Sequence, residues 1–166
     1  MRETAALVRE AWPEHRTVFI GPCTAKRQEA LADPAIDLVL TFEELGALFV
    51  AAGVDVKESP AATADIAGSA AGRGFPVSGG VTKALAQQLG EGFRPTMVNG
   101  LDRKALTLLK VYGSGKCPGN FLEVMACTGG CIAGPGAVAP ESLALKSLAA
   151  YTAPEAAPRA SEPVST

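Results

Sequence analysis

Short apolar runs alternate with longer stretches of mixed polarity along this chain, and the period changes from one kind to the other. Residues 18–20 are β-branched and aromatic and are cut off by Gly21 and Pro22, which predicts a buried strand. Residues 37–40, 96–98 and 121–126 predict strands on the same grounds. Between them helices are predicted over 3–12, stopped by Pro13, and over 24–32, 42–52, 81–89 and 101–112. Thr41 and Glu44 stand three apart ahead of the third helix, which is a capping-box pattern, and Gly53 offers its stop. Residues 57–75 are rich in Ala, Gly, Ser and Pro and predict a loop. Beyond about Leu148 the shift to Pro, Ala, Ser and Glu predicts a disordered tail. The alternation of strands and helices predicts an α/β fold, a mainly parallel sheet flanked by helices. One domain is expected over 1–148 and the tail over 149–166.

Composition narrows the classes. The chain has 166 residues, 48% hydrophobic and 19% charged, which suits one globular domain. A formal net charge of −2 favours neither nucleic acid nor an anionic membrane as partner. No apolar run reaches the length of a membrane span, so no membrane insertion is expected. The first residues lack the apolar core of a secretory signal, so the cytoplasm is the expected compartment. Four cysteines in a chain this long do not make a disulfide scaffold.

The thiols carry the candidate chemistry. Cys127 and Cys131 stand four apart, joined through Gly129 and Gly130, after the apolar run 121–126 and before Gly134-Pro135-Gly136. Such a C-x3-C loop can hold a metal ion or an iron–sulfur cluster, for which thiolates are the usual ligands. Cys23 follows the strand 18–20, and ligands of open α/β sheets gather at the C-terminal ends of strands. Cys117 lies in a turn before the strand 121–126; a strand's length from Cys127, it is read as an ordinary turn thiol. The lone His15 lies outside both cysteine strings and is given no role. Ser78-Gly79-Gly80 lacks the lysine and spacing of a P-loop and reads as a tight turn.

Two strings together resemble a known family. Gly21-Pro22-Cys23-Thr24-Ala25-Lys26-Arg27-Gln28-Glu29 is similar to the second signature of the FeFe-hydrogenase catalytic domain, approximately Met-Pro-Cys-Thr-x-Lys-Lys-x-Glu. Glu123-Val124-Met125-Ala126-Cys127-Thr128-Gly129-Gly130-Cys131 is similar to the third, approximately Glu-x-Met-Ala-Cys-x-Gly-Gly-Cys. The resemblance spans residues 15–140 and marks the C-terminal half of that domain, one of its lobes. It implies Cys23, Cys127 and Cys131 as ligands of a 4Fe–4S cluster, with Cys131 bridging to the two-iron subsite of the H-cluster once matured. It implies that Lys26 contacts a cyanide of that subsite, that Met125 packs near it, that Pro22 shapes the pocket wall, and that Glu29 serves a polar network. Taken alone, Lys26 is a solvated helix lysine, Met125 is core, and Glu29 is one end of an exposed ion pair. The first signature, Thr-Ser-Cys-Cys-Pro, does not occur in this sequence. Gly21, Thr128, Ala133 and Pro135 depart from the usual pattern and resemble divergent, sensory-type branches.

The activity so implied is reversible oxidation of H2 and reduction of protons, with a ferredoxin-like electron carrier. The N-terminal half is expected either from another chain or as a part lost from a truncated gene. Two other readings stand beside it: a non-catalytic iron–sulfur sensor or cluster-assembly protein, and an inactive fragment. Retention of Lys26 weighs against the assembly protein, which has no cyanide to bind.

Overall fold

The computed structural model describes residues 1–60 and 69–153. These divide into two compact units, one of residues 1–59 and 134–138, the other of residues 60, 69–133 and 139–153.

In the first unit, α1 (Arg2–Ala11), β1 (Val18–Ile20), α2 (Ala25–Leu31), β2 (Leu38–Leu40) and α3 (Phe42–Ala51) follow in order. The strands β1 and β2 pair in parallel, Val18 beside Leu38 and Ile20 beside Leu40. Alternation puts Phe19 and Val39 on one face, where Val39 packs with Ile36 of the preceding turn and Ala5 of α1 into a small core. Val18, Ile20 and Leu38, on the opposite face, are 42%, 42% and 50% exposed. Thr41 and Glu44 form the expected capping box: the Glu44 N–H donates to Thr41 Oγ1 at 3.2 Å, and the Thr41 N–H donates to the Glu44 carboxylate at 2.8 Å.

The second unit runs α4 (Ala70–Arg73), α5 (Gly80–Leu89), β3 (Pro95–Asn99), α6 (Arg103–Gly113), β4 (Phe121–Met125) and α7 (Glu141–Thr152). β3 and β4 pair in parallel, Thr96 beside Leu122 and Asn99 beside Met125. The Tyr112 hydroxyl of α6 donates to Thr96 Oγ1 at 2.6 Å, and Phe93 meets Phe121 at 5.4 Å between ring centres.

The α/β reading and the parallel pairing hold. Among the described residues, however, the strands form two separate pairs rather than one sheet. Two expectations need correction. Part of the predicted loop over 57–75 is the short helix α4, started by Ser69, whose hydroxyl accepts the Gly72 N–H at 3.0 Å. The chain beyond Leu148 is helical through Thr152. There the Arg73 guanidinium lies over the Tyr151 ring, 5.0 Å from its centre, and donates to the Tyr151 carbonyl. That long-range pairing is invisible in an Ala-rich composition. Residues 61–68 of the loop and 154–166 of the tail lie outside the described residues.

Candidate metal-ligand loop

Strand β4 ends at Met125, and the chain then turns through Cys127-Thr128-Gly129-Gly130-Cys131 into a single 3₁₀ turn. The turn closes on itself: the Gly130 N–H donates to the Cys127 carbonyl at 3.0 Å, and the Ala133 N–H to the Gly130 carbonyl at 3.2 Å. Gly129 and Gly130 have φ of 88° and 98°, the left-handed region that residues with a β-carbon avoid. At Gly130 space enforces the same choice. A β-carbon there would lie 2.5 Å from the Ser78 nitrogen and 2.6 Å from the Pro76 oxygen.

That crowding marks what holds the loop. The Ser78 N–H donates to the Gly129 carbonyl at 3.1 Å, the Ile132 N–H donates to the Pro76 carbonyl at 3.0 Å, and Val77 bridges Gly130. From the β3 side, Asn99 Oδ1 accepts the Gly129 N–H at 2.8 Å. The Gly100 and Leu101 N–H groups continue the ladder onto Met125 and Ala126. The tight turn read at Ser78-Gly79-Gly80 is therefore one wall of the cysteine loop.

Glu123 anchors this wall. It is 5% exposed on β4, and its carboxylate accepts three bonds: from the Gly79 N–H at 2.7 Å, the Thr82 N–H at 2.8 Å and the Thr82 hydroxyl at 2.6 Å. These donors belong to the N-terminus of α5, where unpaired N–H groups and the helix dipole favour a carboxylate. In the sequence Glu123 stands within a motif with no task of its own. Its one signal was a charged residue in the middle of an otherwise apolar strand.

The two cysteines of the loop differ in exposure. Cys131 is exposed, and its Sγ lies 4.0 Å from the Met125 thioether, so the structure brings these two expected residues together. Cys127 is half-buried. Cys117 is exposed at the other end of β4, its Sγ 3.7 Å from the Tyr112 carbonyl, as a turn thiol should be.

The remaining expected residues belong to the first unit. Cys23 is half-buried and free, three positions after β1. The Gly136 N–H donates to the Pro22 carbonyl at 2.8 Å, which pins the backbone just ahead of it. Thr24 precedes α2 without a side-chain cap, and the Lys26 N–H reaches the Cys23 carbonyl at 3.3 Å. The Lys26 ammonium pairs with Glu29 one turn along α2, both about a third exposed. That is the plain ion-pair reading of these two residues, an interaction of small energetic weight.

The donors suit an iron–sulfur group in kind, since all are thiols, and fall short in number. A cubane cluster takes four protein ligands, and the matched strings supply three. Among the described residues no group of three or more His, Cys, Asp or Glu side chains is assembled to hold a metal ion.

Comparison with known proteins gives this geometry a family. A family model described as the iron-only hydrogenase large subunit, C-terminal domain, matches residues 1–135. The periplasmic Fe hydrogenase large subunit of Nitratidesulfovibrio vulgaris is 31% identical over 160 residues, covering 72% of this chain and 38% of its own length. An FeFe-hydrogenase structure concerned with stepwise H-cluster assembly aligns with a TM-score of 0.56 at 19% identity, over 85% of this chain and 53% of the other. A variant FeFe-hydrogenase from Chlamydomonas reinhardtii aligns with a TM-score of 0.53 at 19% identity, over 87% and 56%. The chain thus spans about two fifths of the curated relative and just over half of each solved structure. No described helix is long and apolar enough to cross a membrane.

Proposed function

This chain belongs to the family defined by the C-terminal domain of the iron-only hydrogenase large subunit, and on that premise we propose that it contributes the H-cluster ligand half of an FeFe-hydrogenase. When bound, an iron–sulfur cluster with its two-iron subsite supplies the redox chemistry that interconverts H2 with protons and electrons. Cys23, Cys127 and Cys131 are the thiolates that would hold it. The observation that carries the reading is the Cys127–Cys131 loop. Its backbone is fixed by the 76–80 turn and Asn99, while Cys131 stays exposed beside Met125. A loop fixed in its backbone presents its sulfurs without a further cost in chain ordering.

The fourth thiolate in this reading comes from the complementary half of the domain, which carries Thr-Ser-Cys-Cys-Pro. The apolar face of β1 and β2 at Val18, Ile20 and Leu38 supports such a complement, because parallel sheets are ordinarily covered on both faces. Lys26, which pairs with Glu29 here, would be the residue to hold an anionic ligand of the iron, an ammonium being suited to a compact negative charge. Glu29 would then serve the polar network around Lys26, Pro22 would shape the wall beside Cys23, and Met125 would pack beside Cys131. A ferredoxin-like carrier delivers electrons. Thiols awaiting a cluster need a reducing compartment, which favours the cytoplasm; the periplasmic location of the curated relative argues the other way. The departures at Gly21, Thr128, Ala133 and Pro135 fit slow or sensory use of the same chemistry better than fast turnover.

The test is anaerobic reconstitution of the chain, alone and co-expressed with a polypeptide bearing the first signature, followed by iron and sulfide counts and EPR. A cubane signal in the co-expressed protein that disappears in Cys127→Ala supports the reading, and H2 assays follow. Iron content indifferent to Cys127→Ala refutes it.

A further inference from the structure

Resting on the reading of Cys127 and Cys131 as ligands, we propose that Glu123 is their positioning residue, acting through the N-terminus of α5 rather than by touching a metal. The bonds form a closed circuit. Glu123 on β4 holds Gly79 and Thr82. The segment just before Gly79 holds the loop, Ser78 at Gly129 and Pro76 at Ile132. The covalent chain from Glu123 through Cys127 to Gly129 closes the ring. Inside such a circuit the two thiols have one backbone arrangement. Opened at Glu123, the turn 76–79 is free to shift with α5 and takes Gly129, Gly130 and Ile132 with it.

All three groups facing the carboxylate are donors, so both oxygens must accept. An amide cannot reproduce this, because its nitrogen donates and one backbone N–H then faces another donor. Glu123→Gln is therefore nearly isosteric and breaks the circuit at one point. Thr82→Val removes only the hydroxyl donor, and Thr82→Ser restores it.

The experiment uses the full reduced chain under argon, titrated with cadmium ion alone and followed by thiolate-to-metal charge-transfer absorption. The share lost in Cys127→Ala defines the loop's contribution, and urea midpoints recorded on each variant establish folding. Outer partners of metal ligands typically govern affinity by 10–100-fold, so Glu123→Gln should weaken loop binding by about tenfold. Thr82→Val should weaken it less, with recovery in Thr82→Ser. Wild-type affinity in a folded Glu123→Gln protein overturns the positioning role. Should Glu123→Gln fail to fold, Thr82→Val decides: unchanged cadmium affinity in that variant overturns the role, and a loss recovered by Thr82→Ser supports it. Absence of any Cys127-dependent cadmium binding in the wild type overturns the ligand reading itself and the positioning role with it.

Discussion

The two units hold their cysteines by different means. Cys23 follows a strand end held by backbone bonds alone, Gly136 to Pro22 and Lys26 to Cys23, in a unit whose charged pairs at Asp37 and Glu44 lie at the surface. Asp37 gathers Arg9 at 2.8 Å, Arg16 at 3.0 Å and the Thr17 N–H at 2.8 Å, and Arg27 pairs with Glu44. Cys127 and Cys131 sit in a loop whose backbone is bonded on two sides and whose support is a buried carboxylate. Surface charge is screened and replaceable, whereas a buried carboxylate with three donors is neither. The second site should therefore be brittle and local in its response to mutation, and the first graded and sensitive to acid.

The largest effect should come from Glu123→Ala. It strands two backbone N–H groups and a hydroxyl in a buried place, at a cost of about 3 kcal/mol or more. Urea denaturation checks this, and hydrogen exchange should localise the loss to α5 and the 127–133 loop. Next comes Gly130→Ala, where a left-handed backbone and the contact with Pro76 together cost about 2 kcal/mol. Its signature is loss of Cys127-dependent metal binding with the first unit unperturbed. An equal loss of protection in both units would erase the contrast.

In the first unit, Thr41→Ala should cost about 1 kcal/mol, the usual worth of a helix cap, and should fray α3 alone. The smallest effect is that of pH. The Asp37 carboxyl lies below its ordinary value, held there first by the Thr17 N–H and then by Arg16. Glu44 is lowered first by the Thr41 N–H and then by Arg27. A depressed carboxyl contributes stability above its unfolded value and loses it as pH falls through the folded one. Acid below the ordinary carboxylate range of about 4 should thus loosen the first unit, and Asp37→Asn should flatten that response. Amide exchange of β1 and β2 across that range is the measurement. An acid response unchanged in Asp37→Asn would assign it to other groups.

Much of this contrast can be read from the chain itself, and part of it cannot. Strand β1, the capping box of Thr41 and Glu44, and the run into Cys127 are local patterns, and each stands where it was expected. So does the α/β class, because alternation of periods is also local. The role of Glu123 could not be read, because its partners lie more than forty positions upstream and nothing in their identity points forward. Helix α7 escapes the sequence for the same reason: Tyr151 and Arg73 are 78 residues apart. The pairing of Lys26 with Glu29 is the converse, a local contact that the sequence offers as the plain alternative.

The circuit through Glu123 also bears on how the protein is made. A chain synthesised from its N-terminus releases α5 and the 76–80 turn before β4 exists, and domains begin to fold in that order. The carboxylate that completes the turn arrives 44 residues after Gly79. Until then the helix start waits with its N–H groups in water. The cysteine loop emerges only a few residues behind Glu123, so the lock and the thiols reach the scaffold together. On the proposed function, the two thiols are ordered for a cofactor only once Glu123 has joined the turn, and a nascent chain lacking it offers no fixed pair of sulfurs to a stray metal.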